Sequence, residues 1–120
     1  MELDESAAAV AVYTSGTAGA PRAALLTHVN LLVNLRQMRA HAGGAAALRP
    51  DDVVLIALPL FHVFGLNATL GAALHAGACC VLMDEFHPKD ALALIKQHRI
   101  TIATGVPPMW AALAAVEGAT

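Results

Sequence analysis

The chain has 120 residues, a length that fits one domain, with 58% hydrophobic and 13% charged residues and a net charge of −2 at pH 7. Soluble domains carry about 25% charged residues, so either part of this surface faces other protein, which the sparse charge favours, or alanine, apolar by count yet at home on surfaces, inflates the apolar figure. Lys and Arg are scattered from Arg22 to Arg99 without a basic run, which excludes the electrostatic footprint of a nucleic-acid binder.

The first residues, MELDESAAAV, are acidic and lack the basic start and apolar stretch of a signal peptide. A reduced, cytoplasmic setting is expected, or a location peripheral to a membrane. Ala8–Thr14 is apolar and reads as a strand. Ser15–Pro21, with Gly16, Gly19 and Pro21, is a turn-rich loop. Arg22–Leu26 reads as a returning strand that closes a hairpin. Thr27 is placed to cap a helix through about His41, with Leu31, Leu35 and Met38 on one face and Arg36 and Arg39 elsewhere. Gly43 and Gly44 end that helix.

After a polar turn at Arg49–Asp52 the pattern gives strand Val53–Leu58, a helix from about Gly65 to His75, and strand Cys79–Met83. Pro88 suits the first turn of a helix that runs to about His98. Strand Ile100–Thr104, a turn at Val106–Pro108 and a last helix from Met109 complete the chain. Strands alternating with helices imply an α/β fold, with right-handed βαβ units on a largely parallel sheet.

No charged residue lies between Asp52 and Asp84, a stretch long enough to span a bilayer. Pro59, His62, Gly65, Asn67 and Gly71 interrupt it, so it reads as strand, loop, helix and strand buried on both faces, and no transmembrane span is expected. The glycosylation sequon at Asn67–Thr69 carries no weight in such a buried helix. Cys79 and Cys80 are neighbours on a strand and point to opposite faces, so no mutual disulfide is expected and both are read as buried. His28, His41, His75, His87 and His98 show no metal-ligand spacing, and no metal site is expected.

The most informative stretch is Tyr13-Thr14-Ser15-Gly16-Thr17-Ala18-Gly19-Ala20-Pro21-Arg22. Glycines permit the backbone in which consecutive N–H groups converge on an anion. Thr14, Ser15 and Thr17 add hydroxyls, and Arg22 adds a permanent charge with a forked donor set. It is not a Walker-type loop, since no Gly-Lys-Ser/Thr ends it. Taken alone, such a stretch is more often just an ordinary turn. His62 follows the end of a strand, where ligands sit in parallel sheets; on composition alone it is more often a core or loop histidine with a local hydrogen bond.

The string YTSGTAGAPRAALLTHVNL is similar to the signature loop of the adenylate-forming (AMP-binding) superfamily, which includes acyl-CoA synthetases, luciferases and the adenylation domains of peptide synthetases. PLFHVFGLNATLGAALHAGACCVL resembles that family's segment beside the acyl pocket, and ITIATGVPPMWAAL the strand and helix after it. The order of the three matches identifies residues 1–120 as a partial domain of the acyl-CoA synthetase or long-chain fatty-acid–CoA ligase type, from within the large N-terminal domain.

The resemblance implies ATP, Mg2+ and coenzyme A as the reaction's small molecules, and a hydrophobic, fatty carboxylic acid as substrate. It implies that Thr14, Ser15, Gly16, Thr17, Gly19 and Arg22 hold the ATP phosphates. His62 would act near the carboxylate, in a positional or electrostatic role. Phe64, Gly65 and Val106 would wall the acyl pocket. Three positions depart from the family pattern: Ala18 stands where a hydroxyl residue is usual, Arg22 where Lys is, and Ala23 where Gly is. These mark either a subgroup with a slightly different loop or relaxed function; charge and most donors remain, which favours the subgroup. The family's Tyr-Gly-x-Thr-Glu segment, its ribose-binding aspartate and its C-terminal domain with the adenylation lysine have no match here. The chain is therefore expected to be a piece whose partner is the remainder of its parent chain, and magnesium to be held mostly by those other segments. The alternative is a non-catalytic remnant that binds a nucleotide or a protein.

Overall fold

The computed structural model describes residues 4–14, 22–42 and 47–116. Strands β1 (Ala8–Thr14) and β2 (Arg22–Thr27) pair antiparallel, from Thr14 opposite Arg22 to Ala8 opposite Thr27, with one irregularity between Ala8 and Val10. Thr27 both ends β2 and caps helix α1 (His28–Ala42). The Asn30 N–H donates to Thr27 Oγ1 at 3.2 Å, and the Thr27 N–H donates back to Asn30 Oδ1 at 2.9 Å. This is a reciprocal capping box with Asn in the place usually held by Glu or Gln. On the inner face of α1, Leu35 is buried and Leu31 and Met38 are half-buried, while Arg36 and Arg39 are exposed.

A second sheet has three parallel strands in the order β4–β3–β5: β3 is Val53–Ile56, β4 Cys79–Leu82 and β5 Ile102–Ala103. In the central strand Val54, Leu55 and Ile56 are only 1%, 3% and 2% exposed. Their side chains alternate between faces. Val54 and Ile56 pack with Ala73 and Ala78, under Leu60, Leu70 and Ile102. Leu55 packs with Ala57 and Ala91, under Leu94, Ile95, Met109 and Leu113. One strand thus seeds a core on each side. The first is covered by a π-helix (Phe64–Gly71) that runs into α2 (Ala72–Ala76); the second is covered by α3 (Pro88–His98) and α4 (Pro107–Ala114).

This is the α/β architecture that the alternating pattern implies, and the hairpin stands as a sheet of its own. Several boundaries differ from the sequence reading. β3 stops at Ile56 because its partner β4 stops at Leu82, although Ala57 and Leu58 stay buried. β5 is shorter than Ile100–Thr104 because Ile100 belongs to the exit of α3, where its N–H bonds the Ile95 carbonyl at 3.1 Å. Arg99 makes that exit in the left-handed region, φ 51°, a conformation more often taken by glycine. α4 begins at Pro107 and absorbs the expected turn, since proline is pre-set for a first helical turn. Cys79 is exposed rather than buried, because β4 lies at the sheet edge; Cys80 is half-buried. Burial, and then the neighbouring Cys79, raise the Cys80 thiol above its ordinary value, which disfavours a reactive thiolate. No helix among the described residues is long and apolar enough to cross a membrane.

Asp52 clasps the amino ends of all three parallel strands. Its carboxylate accepts the Arg49 N–H and the Thr101 hydroxyl, each at 2.8 Å, and its carbonyl accepts the Cys79 N–H at 3.0 Å. Thr101 Oγ1 in turn accepts the Val53 N–H at 3.1 Å. The Arg49 N–H first, and the Thr101 hydroxyl second, hold the Asp52 carboxyl below its ordinary value of 3.8. A depressed folded value means that the clasp stabilises the fold above the ordinary value and is lost as pH falls below it. Amide exchange at Val53 and Thr101 is expected to accelerate as pH falls below about 4, beyond the intrinsic pH dependence of exchange. In Asp52→Asn that extra acid dependence should disappear.

Candidate functional site

In a parallel sheet all carboxyl ends lie at one edge, and the loops beyond that edge form the usual ligand crevice. β3 leads there into the segment that carries His62, Phe64 and Gly65; β5 leads there into the turn that carries Val106. A cleft of about 580 Å³ opens at the same edge, lined by Pro59, Leu60, Phe61, Leu82, Asp84 and Phe86 among others.

His62 is exposed and sits in a tight turn, its N–H bonded to the Pro59 carbonyl at 3.2 Å. Its Nδ1 accepts the N–H of Phe64, the first residue of the π-helix, at 3.2 Å. An N–H donor at Nδ1 leaves the imidazole proton on Nε2. In this arrangement the free ring nitrogen is a hydrogen-bond donor rather than a base.

Gly65 is buried with no room for a side chain. A Cβ there would fall on the Pro59 carbonyl oxygen and lie 3.0 Å from the Leu58 carbonyl oxygen. The helix start therefore seats directly on the backbone leaving β3. Phe64 and Val106 are both partly exposed, at 39%.

The expected helix from Gly65 to His75 is wound as a π-helix over its first part, a rarity that often marks functional segments. Polar side chains to which the sequence reading gave no role fasten it. Asn67, 5% exposed, donates from Nδ2 to Asn34 Oδ1 at 2.9 Å and to the Leu31 carbonyl at 3.3 Å, tying the helix to α1. Thr69, 1% exposed, donates to the Phe64 carbonyl at 3.3 Å and accepts the Thr104 hydroxyl at 3.1 Å. The signal was present: polar residues inside a charge-free run must find partners once buried. The partners themselves lie far along the chain. Beside this helix, Ala68, Ala72, His75 and Thr104 share with Leu35 and Met38 the lining of an apolar cavity of about 210 Å³.

Of the candidate phosphate-binding residues, Thr14 and Arg22 are described and are a cross-strand pair, both exposed. Thr14 Oγ1 lies 3.4 Å from the Arg22 carbonyl oxygen, to which it donates. Ser15, Gly16, Thr17 and Gly19 lie outside the described residues, as does Ala18. Ala23, where the family usually has Gly, sits in regular antiparallel pairing opposite Tyr13, so β2 accommodates alanine without a left-handed backbone.

A parallel sheet with helices packed on both faces defines a domain of the α/β class. The chain belongs to the AMP-binding enzyme family, whose model matches residues 1–120. It is 41% identical over 107 residues to 4-coumarate–CoA ligase 3 of Arabidopsis thaliana, which covers 89% of this chain and 19% of that protein. It superposes on ATP-bound MatB from Rhodopseudomonas palustris with TM-score 0.81 and 30% identity, over 98% of this chain and 22% of that one. It also superposes on the o-succinylbenzoate CoA synthetase MenE of Bacillus subtilis, solved with its acyl-adenylate intermediate, with TM-score 0.78 and 34% identity, over 92% and 28% of the two chains. The chain spans about a fifth of the length of the curated relatives it matches.

Gly65→Ala is expected to destabilise the protein by roughly 1–3 kcal/mol, the cost of overpacking against unyielding backbone. Asn67→Leu is expected to cost roughly 0.5–1.5 kcal/mol, the net worth of a hydrogen bond, because Asn34 is exposed and can turn to water. Denaturant midpoints of the two variants check both.

Proposed function

We propose that the polypeptide carrying this chain is an ATP-dependent acid–thiol ligase that activates a hydrophobic carboxylic acid as its acyl-adenylate and passes the acyl group to coenzyme A. The observation that carries this reading is the pairing of Thr14 with Arg22, which closes the Gly/Ser/Thr-rich segment 15–21 at its base in a chain of this family. As cross-strand partners, Thr14 and Arg22 bring a hydroxyl residue and a guanidinium residue to one place, which suits the tail of a nucleoside triphosphate.

In the first step a carboxylate oxygen of the acid attacks the α-phosphorus of ATP, and the electron pair of the broken bond leaves with pyrophosphate. In the second the thiolate sulfur attacks the acyl carbonyl, and AMP departs. Thr14, Ser15, Gly16, Thr17, Gly19 and Arg22 hold the β- and γ-phosphates in line for departure. His62, with its proton on Nε2, donates to the acid's carboxylate or to the charge that develops on the acyl oxygen, and orients it. Phe64, Gly65 and Val106 line the acyl side. Magnesium accompanies ATP in the resemblance. It would be held mostly by segments of the parent polypeptide other than this one, and would offset the charge of the departing pyrophosphate.

The acid has an apolar body, of the fatty kind by the sequence resemblance. The names of two relatives, 4-coumarate–CoA ligase and o-succinylbenzoate CoA synthetase, widen the range to aryl acids. Exchange of labelled pyrophosphate into ATP by the complete polypeptide, run over fatty and aryl acids, tests the reading. At least one apolar acid is expected to drive exchange. Specific ATP binding with no exchange on any acid would overturn it in favour of a non-catalytic nucleotide-binding module.

Arg22→Ala is expected to raise KM for ATP about 10–100-fold, the size of a hydrogen bond to a charged group. His62→Ala is expected to lower kcat/KM for the acid by a similar factor, about 10–100-fold, with little change in KM for ATP. Steady-state exchange kinetics with each substrate varied in turn check both.

A further inference from the structure

We infer that Thr69 and Thr104 form a positioning relay that sets the spacing between the Phe64 and Val106 walls of the acid-binding side. This rests on the ligase reading above and names the residues that hold its pocket to shape.

The relay has a direction. Each hydroxyl has one proton. Thr104 gives its proton to Thr69 Oγ1 at 3.1 Å, and Thr69 gives its own to the Phe64 carbonyl at 3.3 Å. The line therefore ends on the backbone of Phe64, whose N–H is held by His62 Nδ1 at 3.2 Å. At its other end Thr104 stands just beyond β5, on the turn that delivers Val106. The relay joins the loop after β3 to the turn after β5.

Main-chain pairing does not do this. β5 pairs with β3 only at Ile102 with Val54 and Ala103 with Leu55. Past Ala103 the ladder has ended, and the separation of the two segments rests on side chains. A hydroxyl buried as deeply as Thr69, 1% exposed, is costly unless bonded. A pair of valines of the same shape would fill the space at little or no cost in stability. The hydroxyls therefore supply direction more than stability: the π-helix holds the Phe64 carbonyl by its own main-chain pattern, and the hydroxyls tie that carbonyl, next to the His62 turn, to the turn after β5.

The test is acid-dependent pyrophosphate exchange by the complete polypeptide with acid and ATP varied separately, in Thr69→Val, Thr104→Val, the double variant and Thr69→Ser. Each valine variant is expected to raise KM for the acid about three- to tenfold, the size of one net hydrogen bond, and to leave KM for ATP unchanged within error. The double variant is expected to be no worse than the poorer single, because the relay acts as one unit. Thr69→Ser, which keeps the hydroxyl, should keep the acid KM of the parent. A merely structural staple would reduce the active fraction, seen as lower apparent kcat, and leave both KM values alone; that result overturns the relay. Additive losses in the double variant overturn it too. If Thr69→Val does not fold, Thr104→Val, at the half-buried donor end, decides the matter by the same KM readout. A parent polypeptide that exchanges with no acid overturns the functional reading and the relay's role with it. An active parent whose variants keep their acid KM overturns the relay alone.

Discussion

β3 has no polar face. Val54, Leu55 and Ile56 are all buried, and a strand in that state can sit only in the middle of a sheet with helices on both sides. Most of the described structure follows from that requirement. Val54 and Ile56 need one cover and Leu55 needs another, so the chain passes a helix over each face in turn. Both helical layers come close because they meet the strand with alanine: Ala73 and Ala91 are fully buried, and neither holds the layers apart with a long side chain. The neighbouring strands are short, so the sheet is narrow, and the loops beyond its carboxyl edge begin early.

Those loops are where polar chemistry enters an apolar chain. Between Asp52 and Asp84 there is no charge, yet His62, Asn67 and Thr69 each have a defined partner. Asn67 and Thr69 are buried, which is tolerable only when each is bonded, and a set that is fully bonded specifies one arrangement over its neighbours. The described residues leave no fully buried side-chain nitrogen or oxygen without a partner. The amino edge is handled the same way by Asp52 and Thr101. One edge is thus pinned by a carboxylate and the other by hydroxyls and an amide, while the middle is held by packing.

The sparse charge has its counterpart on the surface. Tyr13, Leu25, Phe61, Leu74 and Leu82 are all well exposed, and Phe61 reaches 87%. Tyr13 and Leu25 lie on the hairpin, while Phe61 and Leu82 line the cleft at the carboxyl edge. Apolar side chains so placed are the surface that a shortage of charge implied. The chain spans about a fifth of the length of its curated relatives.

Much of this protein was legible from residue order alone. The hairpin, the Thr27 cap and the alternation of strand with helix are set by local patterns of turn residues, caps and periodicity, each readable within a few positions. The family was legible because the loop string and the two later strings occur in order. Other features needed the tertiary structure. Whether Cys79 is covered depends on which strand is at the edge, and the length of β5 depends on how far β3 offers it a partner. The π-winding over Phe64–Gly71 accompanies a helix start with no room for a side chain at Gly65, set against the backbone of Leu58 and Pro59. The pairings of Asn67 with Asn34 and Thr69 with Thr104 join residues far apart in sequence. Periodicity says which side chains turn inward; only packing decides which of them meet, because a hydrogen bond depends on distances that the whole fold sets.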